Sequence, residues 1–355
     1  MQAAKLILTI TIASSRLARG LAFAALLAMS PACASAAAQG SVEYFRGRTI
    51  TISVGLSAGG GYDLHARVFA RHFGRHVPGE PAIVVKNAPG AAGLALVNSF
   101  YNSSPKDGTE LATFDRGIPL EPLLHGFANA RFDPLKLVWI GSTDNDPSTC
   151  FSWYSSSIKT IQDAMARELI VGGTGSTANA VAYPRALNAV LGTKFRVIAG
   201  YPGSAEALIA IERGETQGFC SMGFATLESV RPDWVREHKV NQLVQLAVRK
   251  NPDHPEVPLA LDLAGSEADR AALTLMFSPN LYARPFAAPP GIAPERVAVL
   301  RNAFNETVRD PDYVAEARAR GLHVELVTGE EIERIIRQLY ASPRDVIERM
   351  REAMK

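Results

Sequence analysis

The stretch Thr49-Ile50-Thr51-Ile52-Ser53-Val54-Gly55-Leu56-Ser57-Ala58-Gly59-Gly60-Gly61-Tyr62-Asp63 changes its period halfway, and that change decides the fold. From Ile50 to Leu56 the apolar residues alternate, the period of a strand. After Asp63 they recur at three- and four-residue spacing through Ala66, Phe69, Ala70, Phe73 and Val77, one face of a helix. Asp63 is expected to cap that helix by accepting from its first free N–H groups. Gly74 and Pro78-Gly79 end it. The unit is therefore a strand, a glycine-rich turn and a helix.

The same unit recurs along the chain. Ala82 to Lys86 reads as a strand before Asn87-Ala88-Pro89-Gly90-Ala91-Ala92-Gly93 and a helix to Tyr101. Glu110 to Phe114 and Leu137 to Ile140 read as further strands. Leu169 to Val171 leads into Gly172-Gly173-Thr174-Gly175-Ser176 and an alanine-rich helix to Leu191. Phe195 to Ile198 leads into Gly200-Tyr201-Pro202-Gly203-Ser204, with Ser204 as the expected cap of a helix through Ile211. Alternating strands and helices imply α/β layers with largely parallel pairing. The proline-rich segment from Asn280 to Pro294 reads as a crossing between lobes. Helices over 295–308 and 330–354, with a short strand near 323–327 and a break at Pro311, complete the chain. Two lobes are expected, 41–148 with 283–355 and 149–282, with a ligand cleft between them.

In open parallel sheets, ligands sit beyond the carboxyl ends of the strands. Glycine lets the backbone come close there, and each helix start offers free N–H groups and a positive dipole end, which together suit an anion. Apart from Asp63 the four loops carry no charge, and they contain no histidine, cysteine or lysine. No phosphate-binding G-x-x-x-x-G-K-[ST] loop, dinucleotide fingerprint or G-x-S-x-G elbow occurs. Donors without a nucleophile, base or metal ligand suit binding rather than catalysis, and neither metal nor cofactor is expected. Arg116 follows the third strand and is a candidate carboxylate clamp, with pairing to Asp115 or surface exposure as the alternatives. Asp144 and Asp146 are candidates for ligand contact or turn capping. His72 and His76 stand at i,i+4 but have no third metal ligand, so solvated histidines at a helix end are expected.

The first residues bear on compartment. Lys5, Arg16 and Arg19 precede an uncharged run from Leu21 to Met29 and then Ala34-Ser35-Ala36, the order of a secretory signal peptide. Residues 1–36 are read as that leader, which implies a periplasmic protein; lipid attachment at Cys33 lacks the usual preceding aliphatic residue. The leader holds three of the 37 basic residues and none of the 35 acidic ones. The remaining 34 against 35 leave no case for a nucleic-acid partner. Cys150 and Cys220 remain, either bridged or as two buried thiols.

Taken in order, Gly59-Gly60-Gly61-Tyr62-Asp63, Asn87 to Gly93, Lys106-Asp107-Gly108-Thr109, Gly172 to Ser176, Tyr201 to Ser204 and Ala288-Pro289-Pro290-Gly291-Ile292-Ala293-Pro294 resemble the Bug-type receptors of tripartite tricarboxylate transporters. The resemblance spans nearly the whole chain after residue 40. It implies a type II periplasmic-binding-protein fold, two doubly wound α/β lobes joined by crossover strands and closing like a flytrap. It further implies a solute-binding protein that captures a small carboxylate for a small and a large membrane subunit; a ligand sensor with a signalling partner is the alternative. A monomer is expected. Carried over by position, the contacts fall on Ala58, Gly59, Gly60, Gly61, Asp63, Gly90, Ala91, Ala92 and Gly93, and on Gly173, Thr174, Gly175, Ser176, Tyr201, Gly203 and Ser204. Tyr62 stands in place of the family's small threonine, where it would narrow the pocket or stack on an aromatic acid. Ala92 replaces a glycine.

Overall fold

A computed structural model describes residues 44–145, 147–175 and 178–354. The leader and Cys33, Asp146 and Ser176 lie outside the described residues. Strands β1 (Thr49–Val54), β2 (Ala82–Asn87), β3 (Glu110–Thr113) and β4 (Val138–Ser142) begin the chain. They are followed by β5 (Ser148–Trp153), β6 (Leu169–Gly172), β7 (Phe195–Ile198), β8 (Gly218–Gly223) and β9 (Val240–Leu246), then β10 (Pro285–Ala288) and β11 (Val327–Thr328). They build two sheets, one ordered β11-β4-β10-β3-β1-β2 and the other β7-β6-β8-β5-β9.

The parallel pairs β1–β2, β1–β3, β6–β7 and β6–β8 are the strand–loop–helix units read from the sequence. Antiparallel strands complete both sheets: β10 pairs with β3 and β4, β11 with β4, and β5 with β8 and β9. The segment expected to be only a crossing thus contains β10. Its prolines are compatible with this because Pro285 is the first residue of the strand, where a missing N–H is tolerated.

The helices are α1 (Gly61–Phe73), α2 (Leu94–Ser103), α3 (Glu121–His125), α4 (Ile161–Ala166), α5 (Asn179–Leu191), α6 (Ser204–Glu212), α7 (Phe224–Val230), α8 (Pro232–Arg236), α9 (Glu267–Phe277), α10 (Pro294–Arg309), α11 (Pro311–Ala319), α12 (Gly329–Tyr340) and α13 (Arg344–Met354). Proline opens α11 at a position whose N–H has no helical partner. The single terminal helix expected over 330–354 is two helices, because Pro343 cannot supply the N–H that continuation needs.

Ile50, Ile52 and Val54 of β1 are fully buried. They face a core in which Phe69 and Phe73 of α1 meet Phe286 of β10 and Phe304 of α10, with Phe69–Phe286 and Phe69–Phe304 ring centroids 4.8 and 4.9 Å apart. That packing anchors α1, and with it the first glycine loop, to the sheet. In the second sheet Cys150 of β5 lies directly opposite Cys220 of β8, and the two are disulfide-bonded. The terminal helix α13 crosses to the second sheet's helices: Arg185 of α5 donates to the Met354 carbonyl at 3.2 Å, and Arg349 pairs with Asp269 of α9. No helix among the described residues is long and apolar enough to cross a membrane.

Candidate functional site

Neither expected cap residue caps its helix. The N-cap of α1 is Gly60 and that of α6 is Gly203, and neither makes a side-chain cap bond. Asp63, in the first turn, instead reaches back to accept from the Gly59 N–H at 3.0 Å, from Asn87 Nδ2 at 2.9 Å and from Arg67 Nε at 2.9 Å. Asn87 Nδ2 also donates to the Leu56 carbonyl. Burial pushes the Asp63 carboxyl up, but the bonds from Arg67, Gly59 and Asn87 outweigh it and hold it below the ordinary range. Asp63 is therefore a brace for the first loop.

The four loops meet across the two sheets. Ser57 Oγ of the first loop donates to Glu206 Oε2 at 2.9 Å, just past the fourth loop. A Cβ on Gly203 would stand 2.2 Å from Ser57 Oγ, and one on Gly60 would stand 3.0 Å from Ser204 Oγ. The second loop runs through four positive φ values at Gly90, Ala91, Ala92 and Gly93, which turn its backbone toward the third. There, a Cβ on Gly175 would lie 2.5 Å from Ala91 Cα. The first loop meets the fourth through serine hydroxyls, and the second meets the third at backbone distance.

Beside this junction lies a small cavity of about 40 Å³, room for only one or two waters. Of the residues expected to bind, Gly61, Tyr62, Arg116, Thr174 and Ser204 line it. Ala58, Gly59, Gly60 and Asp63, the second loop from Gly90 to Gly93, and Gly173, Gly175 and Gly203 build the frame around it. Tyr201 is directed to Glu215, with its hydroxyl 3.5 Å from Oε2.

Arg116 is buried within the cavity wall, with Nη2 donating to Ser148 Oγ at 2.5 Å and to the Ser221 carbonyl at 3.2 Å. Its backbone N–H donates to the Tyr62 hydroxyl at 2.8 Å. Asp115, also buried and on the wall, accepts from the Gly117 N–H at 2.8 Å. Burial raises its pKa, against the charges and donors of Arg116, Gly117, Asn179 and Arg284. Burial, followed by the Asp115 charge, pushes the Tyr62 hydroxyl up to about 12. The Tyr62 ring stacks beneath Arg284, whose Cζ is 4.7 Å from its centroid, so the partner expected from a ligand is supplied by the protein itself.

Arg284 was not singled out in the sequence. It stands one residue before β10, is 4% exposed, and donates from Nη1 to the Ala283 carbonyl at 2.9 Å and from Nη2 to Thr226 Oγ1 of α7 at 2.7 Å. Its Nε is buried with no hydrogen-bond partner among the described residues. Leu56, Asp115, Ala180, Phe219, Ser221, Met222 and Thr226 complete the wall. Most of these sit on β8 and α7, where no glycine loop drew notice. Only the isolated Arg284 in an apolar, proline-rich segment offered a sequence signal.

Beneath the cavity, Asp144 is fully buried and bonded by His323 Nδ1 at 2.8 Å, with His65 Nε2 of α1 4.0 Å away. It thus sits in a polar cluster next to the crossing, off the cavity wall. Burial, helped by Arg284, lowers the His65 pKa to about 3, so that imidazole is neutral. His72 and His76 are paired rather than solvated: His72 Nε2 lies 2.7 Å from Glu316 and His76 Nε2 2.7 Å from Asp310, because α11 and the turn before it pack onto α1. No group of three His, Cys, Asp or Glu residues placed to hold a metal occurs among the described residues. A wider groove of about 590 Å³ runs beside the crossings between Pro147, Phe224 and Lys250, but none of the four glycine loops lines it.

No protein-family model matches the chain. A UPF0065 protein from the gbd 5′ region of Cupriavidus necator is 26% identical over 283 residues, 78% of this chain and 79% of that protein. The periplasmic binding protein BugD superposes with a TM-score of 0.68 at 18% identity, covering 87% of this chain and 98% of that one. MatC from Rhodopseudomonas palustris, solved with bound malate, gives 0.66 at 19%, covering 88% of this chain and 100% of that one. An R. palustris protein solved with adipate gives 0.67 at 16%, covering 86% and 97%. The chain has the two-sheet α/β fold of the periplasmic binding proteins. Within that class its structural neighbours include the Bug and TctC proteins, which agree with the resemblance carried by its ordered motifs.

Proposed function

We propose that this chain is an extracytoplasmic solute-binding protein of the Bug type that captures a small carboxylate between two lobes. The observation that carries the reading is the convergence of four glycine loops, two from each sheet, beside a cavity whose wall holds Arg116 and Arg284. The lobes are 41–148 with 283–355 and 149–282, and the disulfide lies within the second. Residues 1–36 direct export to the periplasm, where the protein acts as a monomer. Delivery goes to the small and large membrane subunits of a tripartite tricarboxylate-type transporter. Helix starts at Gly61 and Ser204 add positive dipole ends near the anion, each supplying roughly 0.3–1 kcal/mol.

The test is a thermal-shift and calorimetric screen of the mature protein against a carboxylate library. At least one carboxylate should bind with saturable 1:1 stoichiometry and raise the melting temperature. Arg116→Met should weaken that ligand at least tenfold. A screen with no carboxylate hit rejects the function.

A further inference from the structure

The helix that follows the third glycine loop has no cap of its own. The N-cap of α5 is Ala178, which offers no side-chain acceptor, so the first N–H groups of the helix need an oxygen from elsewhere. That oxygen comes from the side of the other sheet. Asp115, in the turn after β3, accepts from the N–H of Asn179, the first residue of α5, as well as from the Gly117 N–H at 2.8 Å. Its own N–H donates to the Ala92 carbonyl at 3.2 Å, which fixes it against the second glycine loop. The approach is close: a Cβ on Gly117 would stand 2.0 Å from Asn179 Oδ1. Asn179 is 1% exposed, and its Nδ2 has no hydrogen-bond partner among the described residues, so a further acceptor is still wanted there.

Asp115 makes this contact from the cavity wall, beside Arg116 and Arg284. A space of about 40 Å³ takes one or two waters and no carboxylate, so the lobes as they stand are closed on the protein's own groups. A ligand can enter only if the lobes part, and the Asp115–Asn179 contact, which joins the turn after β3 to the start of α5, must then break. A carboxylate arriving at the third loop calls on the same N–H groups that Asp115 holds. The two cannot occupy that helix start together.

Resting on the binding function proposed above, we infer that Asp115 is an internal stand-in for the ligand: its carboxyl caps α5 across the cleft, holds the unliganded lobes together and competes with the incoming carboxylate. Only the open share of the molecules can bind, so the apparent affinity is reduced by the share that is locked. Removing the Asp115 side chain therefore strengthens binding, the opposite of what losing a ligand contact would do.

The experiment combines small-angle X-ray scattering of the mature, ligand-free protein with calorimetry at pH 7.5 against acetate, butyrate, benzoate, succinate, glutarate and citrate. Ligand-free Asp115→Ala should have a larger radius of gyration than the wild type, and it should bind at least one of these carboxylates at least tenfold more tightly. Gly117→Ala should open the ligand-free protein in the same way, because φ of −77° accepts alanine within its own turn and the added Cβ meets Asn179 only across the cleft. If Asp115→Ala does not fold, the scattering of Gly117→Ala decides. An unchanged radius of gyration in a folded variant, or an affinity in Asp115→Ala equal to or below that of the wild type, overturns the inference and leaves carboxylate binding standing. Binding of none of the six by Asp115→Ala overturns the competition as well, and the wider carboxylate screen then decides the function.

Discussion

At the scale of the residue, the loops work through what they lack. Gly175 has no side chain because the Ala91 backbone occupies the place its Cβ would take, at 2.5 Å. That contact joins a loop of one sheet to a loop of the other, so it exists only while the two are together. Gly175→Ala should therefore weaken ligand binding at least tenfold while leaving the melting temperature of the ligand-free protein within about 2 °C of wild type. Affinity equal to wild type would show that the loops do not close in this way. A matching loss of ligand-free stability would place the glycine in the core rather than at the closure. Asp63 shows the converse case, a charge in a binding loop held by the Gly59 N–H, Asn87 and Arg67.

Between elements, the second sheet depends on a covalent tie. Cys150 and Cys220 face each other on β5 and β8, 70 residues apart in sequence. Closing a loop of that length lowers the entropy of the unfolded chain, for a stabilisation of about 4 kcal/mol in the chain-entropy estimate and typically 2–4 kcal/mol as measured. The double variant Cys150→Ala, Cys220→Ala should lose roughly 2–4 kcal/mol in denaturant unfolding. Stability unchanged within about 0.5 kcal/mol would mean that sheet pairing alone sets it. Because β8 also supplies Phe219, Ser221 and Met222 to the cavity wall, the same variant should bind ligand more weakly.

For the whole molecule, the buried cluster where α1 meets the first crossing makes stability depend on pH. His65 is neutral in the fold, its pKa lowered to about 3 chiefly by burial. In the unfolded chain an imidazole takes up a proton near pH 6.5. Above that value neither state is protonated and the residue contributes nothing. Below it the unfolded chain gains a proton that the fold refuses, so stability falls by about 1.4 kcal/mol per pH unit until the folded pKa is reached. Between pH 7 and pH 5 the loss should be roughly 2 kcal/mol, a window above the range in which Asp144, whose pKa is lowered, would be protonated. His65→Gln should flatten that slope. Equal slopes in both proteins would remove His65 as the cause.

Much of this architecture was legible in the chain itself. Strand period, glycine turn and helix period follow from local backbone sterics and from which side chains must be buried, so β1, β2, β6 and β7 with their helices could be read directly, and the ordered loops pointed to the fold. Pro343 is a local signal too, since it lacks the N–H that a single helix over 330–354 would need. What the sequence did not determine were relations between distant segments. The antiparallel insertion of β10, the pairing of Cys150 with Cys220, and the capture of His72 and His76 by Glu316 and Asp310 depend on which elements become neighbours. The cavity wall belongs to the same group: Arg284 comes from a proline-rich crossing, and Thr226 and Met222 from a strand–helix junction with no loop signature. Periodicity records whether a side chain faces inward, but not what it meets there. Only the tertiary structure put Arg284 over Tyr62, on the same cavity wall as Arg116.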